Sequence, residues 1–231
     1  MIFITVFYVK GCISEKLTIR KEVLMVNIFV HGLGQTPASW DKTIDNIKQL
    51  DNFYCPNLCG MLKGKDVVYS ALYSSFVEYC NKFDEPINFC GLSLGSVLAL
   101  NYAIENPKKV NSLVLIAAQY KMPKGLLKFQ NIIFGFMPAK MFEETGFSKK
   151  DFITLSKSML DIDFSNMLDS VSHPVLLLCG EKDKANRKSS EKLSDILKDN
   201  SFEIIENASH EVNIDNPEKL ATLLQDFFMK K

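Results

Sequence analysis

Short apolar runs alternate with longer amphipathic stretches from Val26 to the C-terminal end of the chain. Val26-Asn27-Ile28-Phe29-Val30, Ile87-Asn88-Phe89-Cys90, Val110 to Ala117, and Val175 to Cys179 behind Pro174 read as strands. A shorter strand is predicted near Phe53–Cys55 and another at Phe202–Glu206. The central runs are apolar at successive positions, the mark of strands covered on both faces. Between them the pattern predicts a helix capped by Ser39 and running to about Leu50, one from about Asp66 to Lys82, and one ending near Glu105. Further helices are predicted near Ser189–Lys198 and from about Pro217 to Met229. Strand and helix in alternation predict an α/β fold, with a mostly parallel central sheet and helices on both of its faces. Ligands bind such sheets beyond the carboxyl ends of the strands.

The alternation lapses between Tyr120 and Val171, where helix-like pieces are rich in leucine, isoleucine, phenylalanine and methionine. Residues 121–170 therefore read as a helical lid set into a core of residues 25–120 and 171–231. Most of its apolar stripe packs on the core, and part of it is expected to line a pocket. Phe134, Met137 and Met141, with Gly32 of the core, are the candidate substrate contacts. Residues 2–9 and 16–24 are β-rich and separated by Lys10-Gly11-Cys12, so residues 1–24 are read as a leading hairpin or an extension.

Charge and composition exclude several classes. Lysine plus arginine balances aspartate plus glutamate at 27 each, so the chain as a whole offers no field for nucleic acid or an anionic membrane. Arg20 and Arg187 are the only arginines, which leaves little for bidentate recognition of phosphate or carboxylate. The six cysteines form no Cys-x-x-Cys pair and two of them, Cys90 and Cys179, sit in strand-like runs, as buried reduced thiols of a cytoplasmic protein would. Cys55 and Cys59 as a redox pair or metal ligands lack a neighbouring histidine, and no metal is expected. No apolar run approaches transmembrane length, and the first residues lack the basic segment of a signal peptide. A monomer or a homodimer paired through the lid exterior are both open.

The chemistry gathers at Gly91-Leu92-Ser93-Leu94-Gly95, where an apolar strand turns at once into an apolar helix. Such a turn crowds the serine and leaves its oxygen exposed above the sheet edge, beside the positive end of a helix. A Gly-Ser cluster after an apolar run is also an ordinary loop, so the weight of the motif comes from its partners. An activated serine needs a base and an orienting acid. Of the three histidines, His31 precedes a glycine turn and His173 precedes a strand. His210 alone follows the last strand and precedes the last helix. Asp183, in Gly180-Glu181-Lys182-Asp183, leaves a strand end between serine and histidine, with Glu181, Asp161 and Asp163 as lesser candidates.

With the order serine, aspartate, histidine, the chain resembles an α/β-hydrolase-fold serine hydrolase over about Val26 to Phe228. His31-Gly32-Leu33-Gly34 resembles the family's oxyanion loop, and Pro56-Asn57-Leu58-Cys59-Gly60 its Pro-Asp-x-x-Gly segment, with Asn57 in place of the aspartate. Ser209-His210 followed by Asn216-Pro217-Glu218 resembles the histidine motif. The resemblance implies Ser93 as nucleophile, His210 as base, Asp183 as its orienting acid, and the backbone amides of Leu33 and Leu94 as oxyanion donors. It implies no cofactor and a small-molecule acyl substrate, an apolar carboxylic ester or a thioester or lactone. Two other classes share the scaffold: a triad-dependent lyase like those of menaquinone synthesis, and a ligand receptor without turnover.

Overall fold

The computed structural model describes residues 25–143 and 145–230; the expected leading hairpin lies outside them. Six strands, β1 Val26–Val30, β2 Phe53–Tyr54, β3 Ile87–Leu92, β4 Val110–Ile116, β5 Val175–Gly180 and β6 Asn200–Ile205, form one sheet in the order β2-β1-β3-β4-β5-β6. Every adjacent pair is parallel. The helices between them are α1 Asp41–Asp45, α2 Leu58–Met61, α3 Tyr69–Cys80 and α4 Leu94–Glu105, then α5 Lys124–Phe136, α6 Lys140–Glu143 and α7 Lys149–Ser158 between β4 and β5. After β5 come α8 Lys184–Ile196, α9 Val212–Asp215 and α10 Pro217–Met229.

The sheet is sorted by the two-residue period of a strand. Ile28, Phe89, Leu113, Leu115 and Leu177 face a core shared with α3, α4 and Leu193 of α8. Their sequence neighbours Phe29, Cys90, Val114, Ile116 and Leu178 face the opposite core, closed by Trp40 and by Leu220, Leu224 and Phe228 of α10. Each of these strand residues is fully buried, and full burial of such a side chain stabilises by about 1.5–3 kcal/mol. At the amino ends of the strands a polar ladder replaces the apolar one. Asn88 donates to Asn27 Oδ1 at 3.0 Å and accepts from Ser112 Oγ at 2.6 Å, which satisfies buried polar groups across three strands.

Two helix boundaries differ from expectation for local reasons. Thr36, not Ser39, begins the first helix: it has extended backbone, shares a reciprocal capping box with Ser39, and precedes Pro37 at the first helical position. A 3-10 turn over Pro37–Trp40 leads into α1, which stops at Asp45. Beyond it the amides of Lys48 and Gln49 both donate to the Gln225 side chain, a tertiary contact that takes the place of further helix. The helix expected near Ser189–Lys198 begins five residues earlier, at Lys184, because the Asp183 carboxylate accepts the amide of Asn186 and caps it.

Chain order around β1 reverses direction: β2 lies on one side of it and β3 on the other. This is the switch point at which a crevice opens beyond the strand ends, and two glycines set its depth. A β-carbon on Gly95 would overlap the Val30 carbonyl, and one on Gly91 would overlap the Gly95 carbonyl. Helix α4 therefore rests directly on the backbone of β1. Gly95→Ala is expected to destabilise the protein by about 2–3 kcal/mol in urea denaturation. Gly125→Ala on α5, where an added methyl meets nothing within 4 Å, is expected to stabilise by about 0.5–1 kcal/mol. Unchanged stability in Gly95→Ala would contradict the backbone contact.

Candidate active site

Ser93 joins β3 to α4 with φ 54° and ψ −112°. A non-glycine residue held there stores about 1–3 kcal/mol, so its surroundings must over-determine it. They do so from both sides. The Ser93 amide donates to Ile116 O at 2.9 Å, and its carbonyl accepts from the Val97 amide at 3.1 Å and from Ser96 Oγ at 2.7 Å. Ser93 Oγ makes no hydrogen bond among the described residues, and the side chain lines a cavity of about 520 Å³. The adjoining Leu94 amide is the first of α4 and has no acceptor within the helix.

Asp183 and His210 are brought together by two loops that share a glycine contact. A β-carbon on Gly180 would overlap the Ser209 carbonyl, so the histidine loop lies against the end of β5. The Glu181 amide donates to Ile205 O at 2.9 Å, the Lys182 amide to Ala208 O at 2.9 Å, and the Asn207 amide to the Glu181 carboxylate at 2.8 Å. His210 Nδ1 then meets Asp183 Oδ2 at 2.7 Å. The Asp183 side chain is 5% exposed and that of His210 42%, so the acid is buried behind the ring. Burial by itself would raise the Asp183 pKa. The His210 hydrogen bond and charge, with the side-chain and backbone hydrogen bonds of Asn186, outweigh it and hold the carboxyl below its ordinary value.

The lesser acid candidates are engaged elsewhere. Glu181 receives Asn207, Asp161 pairs with Lys124 at 2.6 Å, and Asp163 pairs with Lys121 at 2.7 Å. His173 lies at the opposite end of β5 with Nε2 bonded to Pro107 O at 2.7 Å. His31 is buried behind the glycine turn, where Nδ1 donates to Gly32 O at 2.9 Å and Nε2 accepts the Leu58 amide at 3.3 Å. Burial lowers its pKa, and this pair of bonds suits only the neutral ring. Asn57, where the family pattern has aspartate, caps α2 by accepting the Gly60 amide at 2.9 Å.

Four amide side chains absent from the sequence-based candidates organise the site. Asn186 Nδ2 reaches both Asp183 oxygens at 2.8 and 2.9 Å, and its Oδ1 accepts from Gln119 Nε2 at 2.8 Å. Gln35 and Asn213 exchange hydrogen bonds at 3.1 and 3.2 Å, both buried, and Gln35 Oε1 also accepts the Gly32 amide at 3.4 Å. That pair ties the turn after β1 to α9, three residues beyond His210. An Asp at a helix N-cap followed three residues later by Asn was the only local signal for any of them.

The cavity walls are mainly apolar: Leu33 and Val97 from the core, Leu127 and Phe134 from α5, Phe152 from α7, and Met159. Phe134 stacks edge-on against Phe152 at 4.9 Å, and Phe142 packs on both, which joins the three inserted helices. Met137 and Met141, expected as substrate contacts, do not line the cavity. Met141 is 58% exposed on α6, and Met137 is drawn against the core beyond the last turn of α5. Gly32 lies against Leu92 and Ser93 and contributes backbone beside the serine rather than wall. The apolar face of α5 turns Leu127 and Phe134 inward, one heptad apart, and leaves the methionines off that face.

Residues 28–223 match the family model described as the alpha/beta hydrolase family, and the chain belongs to that family. Among curated relatives, the abhydrolase domain-containing protein abhd-5.2 of Caenorhabditis elegans is 26% identical over 46% of this chain and 25% of its own length. The pimeloyl-[acyl-carrier protein] methyl ester esterase of Nitrosomonas europaea is 24% identical over 39% of this chain and 36% of its own. The chain thus spans well under two thirds of either relative. Among solved structures, the alpha/beta hydrolase MGS-M2 from a Medee basin deep-sea metagenome library superposes with a TM-score of 0.75 at 15% identity. That superposition covers 94% of this chain and 93% of the other, and it shows a common fold.

The depressed Asp183 pKa fixes the sign of one pH effect. A carboxyl whose folded pKa lies below its unfolded value contributes stability above the unfolded value, about 3.9, and loses it as the pH falls through the folded one. Relative to Asp183→Asn, the wild type should gain stability in urea titrations as the pH rises from about 3 to about 5. Asn186→Leu should reduce that gain. A stability difference that is flat with pH would contradict the assignment.

Proposed function

We propose that the chain is a serine hydrolase of small to medium, largely apolar carboxylic esters, working through Ser93, His210 and Asp183. The observation that carries the reading is the buried Asp183 bonded to His210 at 2.7 Å on the wall of an apolar cavity that also exposes the strained Ser93. Ser93 Oγ attacks the ester carbonyl as His210 Nε2 takes its proton. Asp183 holds the ring by Nδ1 and favours the imidazolium that forms. The tetrahedral oxyanion is received by the amides of Leu94 and Leu33, each donor of this kind being worth about 3 kcal/mol in the transition state. His210 returns the proton to the departing alcohol, and a water activated by the same ring releases the acid from the acyl-serine. The serine-to-histidine contact closes around bound substrate, as such contacts tighten beyond the free enzyme.

The relative named as a methyl ester esterase supports ester chemistry. Thioesters and lactones follow the same steps. Among the described residues lining the cavity there is no lysine or arginine, so none of them favours the multiply anionic substrates of the lyase reading. A receptor without turnover has no use for the strain held at Ser93.

Short- and medium-chain p-nitrophenyl esters should be hydrolysed faster than long-chain ones. Ser93→Ala and His210→Ala should each lower kcat by about 10³–10⁴-fold or more, with Asp183→Asn in the same range. Undiminished turnover in Ser93→Ala would overturn the reading.

A further inference from the structure

A second cavity, of about 400 Å³, opens on the outer side of the inserted helices and is lined by Lys128, Asn131, Ile132, Lys157 and Leu160. Asn131 is 8% exposed, yet neither its amide nitrogen nor its oxygen has a hydrogen-bond partner among the described residues. Buried amides are almost always paired, so an unpaired one on a cavity wall is a place for a polar group from outside. Lys128 and Lys157 flank it, exposed, and neither enters an ion pair among the described residues. Asp161, whose carboxyl feels the Lys128 charge, is held by Lys124 at 2.6 Å. Two ammonium groups outside any ion pair among the described residues, with an amide donor between them, describe a receptor for a phosphate.

Ile132 is shared between this groove and an apolar ridge. It is 59% exposed, and α5 continues with Ile133 at 45% and Phe136 at 86%, joined by Met141 of α6 at 58%. Apolar residues exposed singly are ordinary, but a row of them on one helix face beside lysines is the pattern of a helix lying in a membrane interface. Helices α5 and α7 carry five lysines against one carboxylate, Asp151, and Asp161 just beyond α7 takes up one of them, Lys124, which leaves these two helices net basic. Ile133 also lines the cavity that holds Ser93, so the ridge is continuous with its wall. No helix among the described residues is long and apolar enough to cross a membrane.

We propose that this face docks on an anionic phospholipid bilayer. The groove takes a head-group phosphate through Lys128, Asn131 and Lys157, and Ile132 and Phe136 enter the acyl boundary. Resting on the ester-hydrolase reading, the consequence is that acyl substrate reaches Ser93 from the bilayer, past Ile133.

The test uses Ser93→Ala protein, which keeps this surface without turnover, in co-sedimentation with vesicles of phosphatidylcholine alone or mixed with phosphatidylglycerol. Binding should be tenfold or more stronger to the anionic vesicles. Lys128→Glu and Lys157→Glu should each weaken it by about fivefold or more, and Phe136→Ser by about tenfold. Asn131→Leu should weaken it without lowering the melting temperature, which separates a ligand contact from a structural one. In the Ser93-containing protein, Phe136→Ser and Lys128→Glu should leave turnover of soluble esters unchanged. Equal binding to neutral vesicles, or binding indifferent to these substitutions, would overturn the proposal. So would a homodimer that Phe136→Ser dissociates, which assigns the ridge to a second copy, or exclusive binding of an acidic protein. Vesicle binding by an inactive variant is read separately from catalysis, so either reading can fail while the other stands.

Discussion

The site depends on backbone meeting backbone at the carboxyl edge of the sheet. Gly95 lets the first turn of α4 rest on Val30, Gly91 lets the strand pass beneath that turn, and Gly180 lets the histidine loop lie on β5. None of these three positions has room for a β-carbon. The first two force the chain to reverse within one residue, and the conformation left for Ser93 is the strained one, with φ 54°. The strain is held by strand pairing on one side and helix hydrogen bonds on the other. The serine is thereby lifted clear of the sheet at the positive end of a helix. The third contact sets the distance between Asp183 and His210. Three absent side chains thus fix the relative places of three present ones.

Around that frame the polar groups are arranged so that each loop depends on another. The neutral His31 bridges the turn after β1 to the start of α2 through Gly32 and Leu58. The Gln35–Asn213 pair bridges the same turn to α9. Asn186 bridges the acid to Gln119, beyond the end of β4. Buried polar networks of this kind are costly when half made and specific when complete. Here they register the loops after β1, β4, β5 and β6 against one another, while the cores on the two faces of the sheet hold the strands.

Much of this was legible in the residues. Strands β3, β4 and β5 were visible as short runs apolar at nearly successive positions, because each is buried on both faces and carries few polar residues. The elbow was visible because small residues were required at positions 91 and 95. That Asp183 is the carboxylate standing beside His210 was readable from its place after a strand and a glycine; that Glu181, Asp161 and Asp163 are engaged elsewhere was not. That depends on Asn207, Lys124 and Lys121, residues distant in sequence. The amides of Gln35, Asn186 and Asn213 look like ordinary surface residues, because only the fold buries Gln35 and Asn213 and half-buries Asn186. Met137 and Met141 were misplaced for a related reason. An apolar stripe shows that a helix has a buried face but not where that face ends, and α5 ends before either methionine.

The central claim is that the strained serine is the atom that bonds to substrate. Treating the protein with a fluorophosphonate and mapping the adduct by peptide mass spectrometry tests it most directly. A single phosphonyl group on Ser93, greatly slowed in His210→Ala, is the predicted result. An unlabelled protein, or an adduct on any other residue, would contradict it.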